Sequence, residues 1–200
     1  AKAYHAEMKA LYDAGCRYLQ LDETSLAKLG DPKIQKALEA RGDDWRELVE
    51  VYTDAMNAVV DGAPKDMHIA MHLCRGNQAG HWQAEGGYDL VAERLFKKVR
   101  IQTYLMEFDS PRAGTFDPLR HLPSDKMVVL GLISSKVPQL EDRAHIRKRL
   151  DDAAKIVPLD QLALSAQCGF ASSVPGNPLT EADQRAKLEL VVSLANEVWG

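Results

Sequence analysis

Short strand patterns alternate with helical patterns along the whole chain, and this alternation constrains the fold more than any other feature. Apolar runs with strand character cover residues 17–22, 67–72, 103–108, 127–133 and 161–166. Helical spacing predicts helices over 2–14, 44–60, 88–99 and 142–156, with two more beginning near residues 31 and 180. Strict alternation of this kind predicts a parallel sheet covered by helices, either an open doubly wound sheet or a (β/α) barrel.

The ends of the predicted strands favour the barrel. No glycine-rich phosphate-binding loop follows any of these strands. Polar side chains stand instead at several strand ends, which is where barrel enzymes place their catalytic groups. A complete barrel takes about 250 residues and eight strands. We therefore predict an α/β fold in which these 200 residues supply about five strands of a (β/α)8 TIM barrel.

Charge and hydropathy exclude two classes of partner. The chain carries 25 basic and 29 acidic side chains, for a net charge of −4, and no basic patch that would mark a nucleic-acid-binding protein. The longest apolar run, residues 127–133, is far shorter than the ~20 residues of a membrane span. The absence of an apolar signal core at the N-terminus predicts a cytoplasmic protein. Three widely spaced cysteines fit reduced thiols or metal ligands better than disulfides: Cys16, Cys74 and Cys168.

A histidine and a cysteine lie two residues apart at the end of the second predicted strand. His72 and Cys74 project from the same face, because side chains alternate along a strand. Imidazole nitrogen and thiolate sulfur are both preferred ligands of zinc. An isolated pair of this type is more often a partly buried histidine beside a free thiol, so further donors are needed to favour a metal site.

Two more strand ends supply such donors. Glu107 stands where the third strand gives way to a loop, and a carboxylate there is costly unless it is paired, hydrogen-bonded or bound to metal. Cys168 follows the fifth strand, and strand alternation assigns it to the same face as Leu162 and Leu164. With the His-x-Cys pair, these residues form a set of nitrogen, sulfur and oxygen donors at one rim of the barrel. We predict a zinc site there, at which a substrate thiol could bind only if the carboxylate is displaced or the zinc shell expands.

An aspartate ends the first predicted strand at the same rim. An anion such as Asp22 would hold the ammonium group of a substrate. It would serve equally well as a helix N-cap or as one partner of a rim salt bridge. Spacing alone does not separate these roles.

Four separated motifs together resemble one known family. They are Tyr18-Leu-Gln-Leu-Asp-Glu23, Met71-His-Leu-Cys-Arg-Gly-Asn77, Tyr104-Leu-Met-Glu-Phe-Asp109 and Leu162-Ala-Leu-Ser-Ala-Gln-Cys-Gly-Phe170. From Tyr18 onward the chain closely resembles the catalytic barrel of cobalamin-independent methionine synthase, a barrel of the methionine synthase/uroporphyrinogen decarboxylase-like type. It is most similar to the shorter, single-barrel members. The resemblance implies that residues 1–200 are the C-terminal portion of one zinc-binding barrel domain, with Asp22 on the fourth strand and Cys168 on the eighth.

The resemblance also implies an activity and its ligands. The zinc ligands of the family map onto His72, Cys74, Glu107 and Cys168, and the aspartate that holds the amino group of homocysteine maps onto Asp22. The implied enzyme is an S-methyltransferase of methionine biosynthesis. It would move a methyl group from 5-methyltetrahydrofolate polyglutamate to the zinc-bound thiolate of homocysteine. A missing N-terminal barrel segment or a second copy of the chain would cover the open edge strands.

Two departures from the longer synthases leave the methyl donor and the thiol open. Thr24 stands where their Asp-Glu-Pro motif has proline, and the run Ser-Ser-Lys136 stands where they carry a histidine implicated in proton delivery to the folate. One alternative is zinc-dependent alkyl transfer to another thiol, as in the epoxyalkane–coenzyme M transferases. The other is a non-catalytic, zinc-stabilised barrel fragment that serves as a binding partner.

Overall fold

The computed structural model describes residues 1–200 as alternating helices and strands. The strands are β1 (Tyr18–Glu23), β2 (His68–Leu73), β3 (Thr103–Glu107), β4 (Met127–Ile133) and β5 (Leu162–Ala166). The helices are α1 (Lys2–Asp13), α2 (Ser25–Lys28), α3 (Pro32–Ala40), α4 (Trp45–Val60), α5 (Asp89–Lys98), α6 (Arg143–Ala154) and α7 (Glu181–Trp199). None of these helices is long and apolar enough to cross a membrane.

The five strands form one parallel sheet in the order β1-β2-β3-β4-β5. Each strand therefore pairs with the next one along the chain, and the order never reverses as it does in a doubly wound sheet. Sequential parallel pairing is the pattern of a (β/α) barrel, so the predicted α/β fold with five barrel-type strands is confirmed. β1 and β5 are the two edges of this sheet.

The predicted elements differ from the observed ones mainly at their boundaries. The β4 prediction is confirmed at both ends, whereas β1 and β2 each begin and end one residue later than predicted. The short helix α2 was not predicted, because four residues carry too little periodicity. The Glu23 carboxylate stabilises its start by accepting hydrogen bonds from the backbone N–H groups of Ser25 (3.0 Å) and Leu26 (2.7 Å).

One face of the sheet packs against the helices and forms the core. Register places Leu21, Met71, Tyr104, Val128 and Leu162 in one row across the five strands, and all five are buried. They belong to a hydrophobic cluster that also includes apolar side chains of α4, α5, α6 and α7. Burial of each large apolar side chain contributes about 1.5–3 kcal/mol, which fixes the sheet in its register.

The opposite face leads to the polar residues at the strand ends. Its row includes Asp22, His72 and Leu105 on the first three strands. On β1 this face is open, because Tyr18, Gln20 and Asp22 are all exposed. This face, which we call the inner face of the sheet, thus remains accessible at the β1 edge.

The strand-face prediction for Cys168 was wrong, although Cys168 does reach the inner face. Leu162 and Leu164 pair with Val128 and Leu130 on the helix-covered face. The β4–β5 register shifts between Gly131 and Ile133, and β5 ends at Ala166. Simple alternation therefore does not extend from Leu164 to Cys168, because the chain leaves the regular strand before the cysteine.

Gly131 makes this irregular crossing possible. A Cβ atom added at Gly131 would lie 2.9 Å from the Cα atom of Gln167 and 3.1 Å from the carbonyl oxygen of Met106. The end of β5 therefore passes directly over a position that only glycine can leave free. The residue after Gln167 is Cys168, so this close approach helps place the cysteine.

We expect Gly131→Ala to destabilise the fold by about 1–3 kcal/mol, because both contacting atoms belong to the backbone and must shift. Gly169→Ala is the matched control, since a Cβ atom there would meet nothing within 4 Å, and we expect its effect to stay within about 0.5 kcal/mol. Urea unfolding of both variants measures the difference. Equal stabilities would contradict this account of the β4–β5 crossing.

Candidate metal centre

Four potential ligands meet at the carboxyl ends of three strands. His72 lies near the end of β2, Cys74 directly follows β2, Glu107 ends β3, and Cys168 lies two residues beyond β5. One donor atom from each of these side chains lies within 4.8 Å of all the others. The convergence follows from the parallel sheet, which brings the carboxyl ends of its strands to one edge. The structure thus brings together the four predicted ligands, and their role as ligands stays a prediction.

The donor atoms have the types of a zinc shell and lie at or just inside its spacing. Bonds of ~2.3 Å to sulfur and ~2.0–2.1 Å to nitrogen place neighbouring ligands of tetrahedral zinc ~3.5–3.8 Å apart. The Cys168 sulfur lies 3.4 Å from the Cys74 sulfur and 3.6 Å from Nε2 of His72. It lies only 2.6 Å from Oε1 of Glu107, to which it donates a hydrogen bond. Only the distance to His72 therefore falls in the range for tetrahedral zinc, the two sulfur contacts to Cys74 and Glu107 being shorter. The donor types match the preferences of zinc.

The two thiols of the cluster differ in charge. The contact with the Cys168 sulfur lowers the pKa of Cys74 to about 6, although burial acts in the opposite direction. The contact with Cys74, burial and the nearby Glu107 carboxylate raise the pKa of Cys168. The backbone N–H of Gly76 also donates to the Cys74 sulfur, at 3.1 Å. Near neutral pH the cluster therefore contains one thiolate, Cys74, and one thiol, Cys168.

Two buried cations face Glu107, and sequence reasoning missed both in this role. Nζ of Lys136 lies 3.7 Å from Oε1 of Glu107 and 4.0 Å from the Cys168 sulfur. Nη2 of Arg112 lies 3.6 Å from Oε2 of Glu107 and 3.0 Å from Oδ1 of Asp109. Burial raises the pKa of Glu107, but Lys136, the Cys168 hydrogen bond and Arg112 outweigh it, and the net shift is downward. Glu107 is therefore an anion although it is completely buried.

An amide connects these charges. With its oxygen turned towards the cations, the Gln167 side chain accepts hydrogen bonds from Lys136 (2.5 Å) and Arg112 (3.0 Å). Its nitrogen then donates to Asp109 and to Ser134, both at 2.9 Å. The position of Lys136, three residues beyond the end of β4, was the available sequence signal, since the neighbouring strands also place their site residues at or just beyond their ends.

Asp22 lies on the wall of a cavity that reaches the cluster. The cavity has a volume of about 470 Å³, and its lining includes Asp22, Lys28, His72, Cys74 and Cys168. The Asp22 side chain is exposed and makes no hydrogen bond or ion pair within the chain. It is neither the N-cap of α2, which is Thr24, nor part of a rim salt bridge. A free carboxylate therefore faces the space next to the four donors.

The fold and the cluster together define the class of the protein. The family described as the cobalamin-independent synthase catalytic domain matches residues 1–197 of the chain. The chain belongs to this family, and the sequence resemblance to cobalamin-independent methionine synthases is confirmed.

Individual relatives agree with that assignment. The chain is 46% identical over 200 residues to the uncharacterized protein YxjH of Bacillus subtilis, covering 100% of this chain and 53% of YxjH. It is 22% identical over 168 residues to 5-methyltetrahydropteroyltriglutamate–homocysteine methyltransferase of Bacillus velezensis, covering 84% of this chain and 20% of the relative. The crystal structure of a candidate vitamin-B12-independent methionine synthase from Listeria monocytogenes superposes with a TM-score of 0.75 at 40% identity, covering 100% of this chain and 54% of that one. The chain therefore spans about half the length of YxjH and of the Listeria protein.

We expect the metal-free protein to contain a thiolate at neutral pH. Because the pKa of Cys74 is lowered to about 6, its thiolate forms as the pH rises through that value and is lost below it. Titration of the ultraviolet thiolate absorbance should show this transition in the original chain and not in Cys74→Ser. A titration in which every thiol ionises near the ordinary value of ~8.5 would contradict the assignment.

Proposed function

We propose that His72, Cys74, Glu107 and Cys168 bind one zinc ion and that the complete protein is a zinc-dependent S-methyltransferase. The observation that carries this proposal is the set of four donor atoms within 4.8 Å, at the strand ends of a cobalamin-independent synthase barrel. Bound zinc would supply Lewis acidity, which keeps a substrate thiol ionised near neutral pH. The remaining work of binding and orienting the substrates falls to the side chains around the cluster.

We propose homocysteine as the thiol. Its ammonium group would pair with the exposed Asp22 carboxylate, which has no partner within the chain, while its sulfur lies at the Cys74 and Cys168 end of the cavity. A charge-assisted contact at one end and fixed sulfur at the other would orient the nucleophile, which lowers the entropic part of the barrier. Lys136 and Arg112 hold Glu107 as an anion next to this site.

We propose 5-methyltetrahydrofolate polyglutamate as the methyl donor. The sulfur–methyl bond would form as the bond between the methyl group and N5 of the folate breaks, and the folate nitrogen would take up a proton. The name of the Bacillus velezensis relative contains both substrates, a methyltetrahydropteroyltriglutamate and homocysteine. This relationship supports the same pair for the complete protein here.

We further propose that residues 1–200 form the C-terminal portion of a single barrel domain. β1 and β5 are open edges, and YxjH is about twice as long as this chain. An N-terminal barrel segment between these edges would complete the sheet and close the inner face that is open at β1. Residues 1–200 alone should then be poorly stable or associate through their edges, and a stable, active monomer of this length would contradict the proposal.

Zinc binding should depend on Cys168 and not on Cys16. The full-length protein and its Cys16→Ser variant should each bind about one zinc ion per chain, because Cys16 lies outside the cluster and donates to the Tyr18 carbonyl oxygen. Cys168→Ser should bind zinc at least about tenfold more weakly and lose methyl transfer. Mutation of a residue that only hydrogen-bonds to a zinc ligand already weakens zinc binding by about that factor. Metal analysis and circular dichroism measure binding and folding separately. A folded, inactive variant indicates catalytic zinc, whereas collapse of the fold indicates structural zinc.

Asp22→Asn tests the thiol substrate. We expect KM for homocysteine to rise about ten- to hundredfold, because a hydrogen bond to a charged group contributes ~1.5–3 kcal/mol. Asp13→Asn is the control, since Asp13 pairs with Lys9 on the surface of α1. For a thiol without an ammonium group, such as coenzyme M, neither substitution should change KM. An unchanged KM for homocysteine would contradict the proposed contact between Asp22 and the ammonium group of the substrate.

A further inference from the structure

The ladder between β2 and β3 ends just before two of the four donors. Its last register pair joins Leu73 to Met106, and the next residues are Cys74 and Glu107. No β2–β3 register pair therefore joins these two residues. The side chain that links the two strand ends belongs to Tyr88, at the start of α5.

The hydroxyl group of Tyr88 bridges the two strand ends. It accepts a hydrogen bond from the backbone N–H of Glu107 (2.9 Å) and donates one to the carbonyl oxygen of Leu73 (3.1 Å). It accepts a second hydrogen bond from Nη1 of Arg75 (3.0 Å). A phenolic hydroxyl has one donor and two acceptor positions, so all of its hydrogen-bonding capacity is used. Tyr88 is completely buried, and water cannot replace any of these contacts.

Arg75 holds the bridging hydroxyl in place. The guanidinium group is completely buried and stacks on the Tyr88 ring at 4.0 Å from its centroid. Its other contacts are backbone carbonyl oxygens, of Gly86 at 2.8 Å and of Glu107 and Ala113 at 3.4 Å. Arg75 also directly follows Cys74, so the same side chain restrains the backbone on both sides of the cluster.

From these contacts we infer that Tyr88, held by Arg75, is a positioning residue for the metal centre. Its hydroxyl sets the distance between the end of β2, which carries Cys74, and the end of β3, which carries Glu107. Tyr88 is not one of the four donors. The inference rests on the proposed zinc site, and it assigns to Tyr88 a role in metal affinity beyond its contribution to stability.

Tyr88→Phe and Tyr104→Phe form a matched pair of variants. The Tyr104 side chain is equally buried, and its hydroxyl contacts two backbone carbonyl oxygens, of Leu95 (3.1 Å) and Val99 (3.2 Å). Tyr104 lies on β3 but on the helix-covered face, away from the four donors. Both substitutions remove a buried hydroxyl and should lower stability, but only Tyr88→Phe separates the two ligand-bearing strand ends.

The test measures zinc affinity and the coordination spectrum of the full-length protein. In competition with a chromophoric chelator, we expect Tyr88→Phe to bind zinc about 10–100-fold more weakly, the range for groups that orient ligands. We expect Tyr104→Phe to bind as tightly as the original protein. With cobalt in place of zinc, only Tyr88→Phe should change the visible absorption bands. Equal zinc affinities and cobalt spectra for the two variants would overturn the inference.

Two further outcomes are decided by the same measurements. If Tyr88→Phe does not fold, Arg75→Lys takes its place. Lysine keeps the positive charge but lacks the planar guanidinium group that donates to the Tyr88 hydroxyl. Weaker zinc binding in Arg75→Lys than in Tyr104→Phe would support the inference, and equal binding would overturn it. Failure of the original protein to bind zinc would refute the proposed function itself, which separates the two failures.

Discussion

The candidate site depends on a carboxylate buried without contact to solvent. Glu107 ends the middle strand of the sheet and is completely inaccessible. An isolated ion in such a place costs several kcal/mol, so the anion requires partners. Lys136 and Arg112 face its two oxygens, and the Cys168 thiol donates to one of them. The segments that follow β3, β4 and β5 are therefore linked through one charge.

The backbone sets the relative positions of the side chains in the cluster. Parallel pairing in sequential order carries four strand ends to one edge. Two local features then adjust the distances between the segments that carry the donors. Gly131 lets the end of β5 cross close above β4, and the Tyr88 hydroxyl bridges β2 and β3 where their ladder stops. Neither residue lies among the four donors, yet both act on the segments that carry Cys168, Cys74 and Glu107.

Much of this arrangement could be predicted from the sequence because it depends on local periodicity. The alternating strands and helices follow from apolar spacing, and His72 and Cys74 share a face because β2 is regular. The same rule failed for Cys168, since the register shift at β4–β5 is a tertiary feature that depends on what passes over Gly131. Lys136, Arg112 and Tyr88 were not predicted in their observed roles, because each acts through contacts with distant segments that no spacing rule encodes.

The family, the donor set and the cavity beside Asp22 support our proposal of thiol chemistry at one metal ion. The central claim is that two sulfurs, one nitrogen and one oxygen of this chain form a single zinc shell. X-ray absorption spectroscopy of the zinc-loaded, full-length protein without substrate tests that claim directly. We predict two sulfur ligands at ~2.3 Å and two nitrogen or oxygen ligands at ~2.0–2.2 Å. A shell containing only nitrogen and oxygen, or one of four sulfurs, would contradict it.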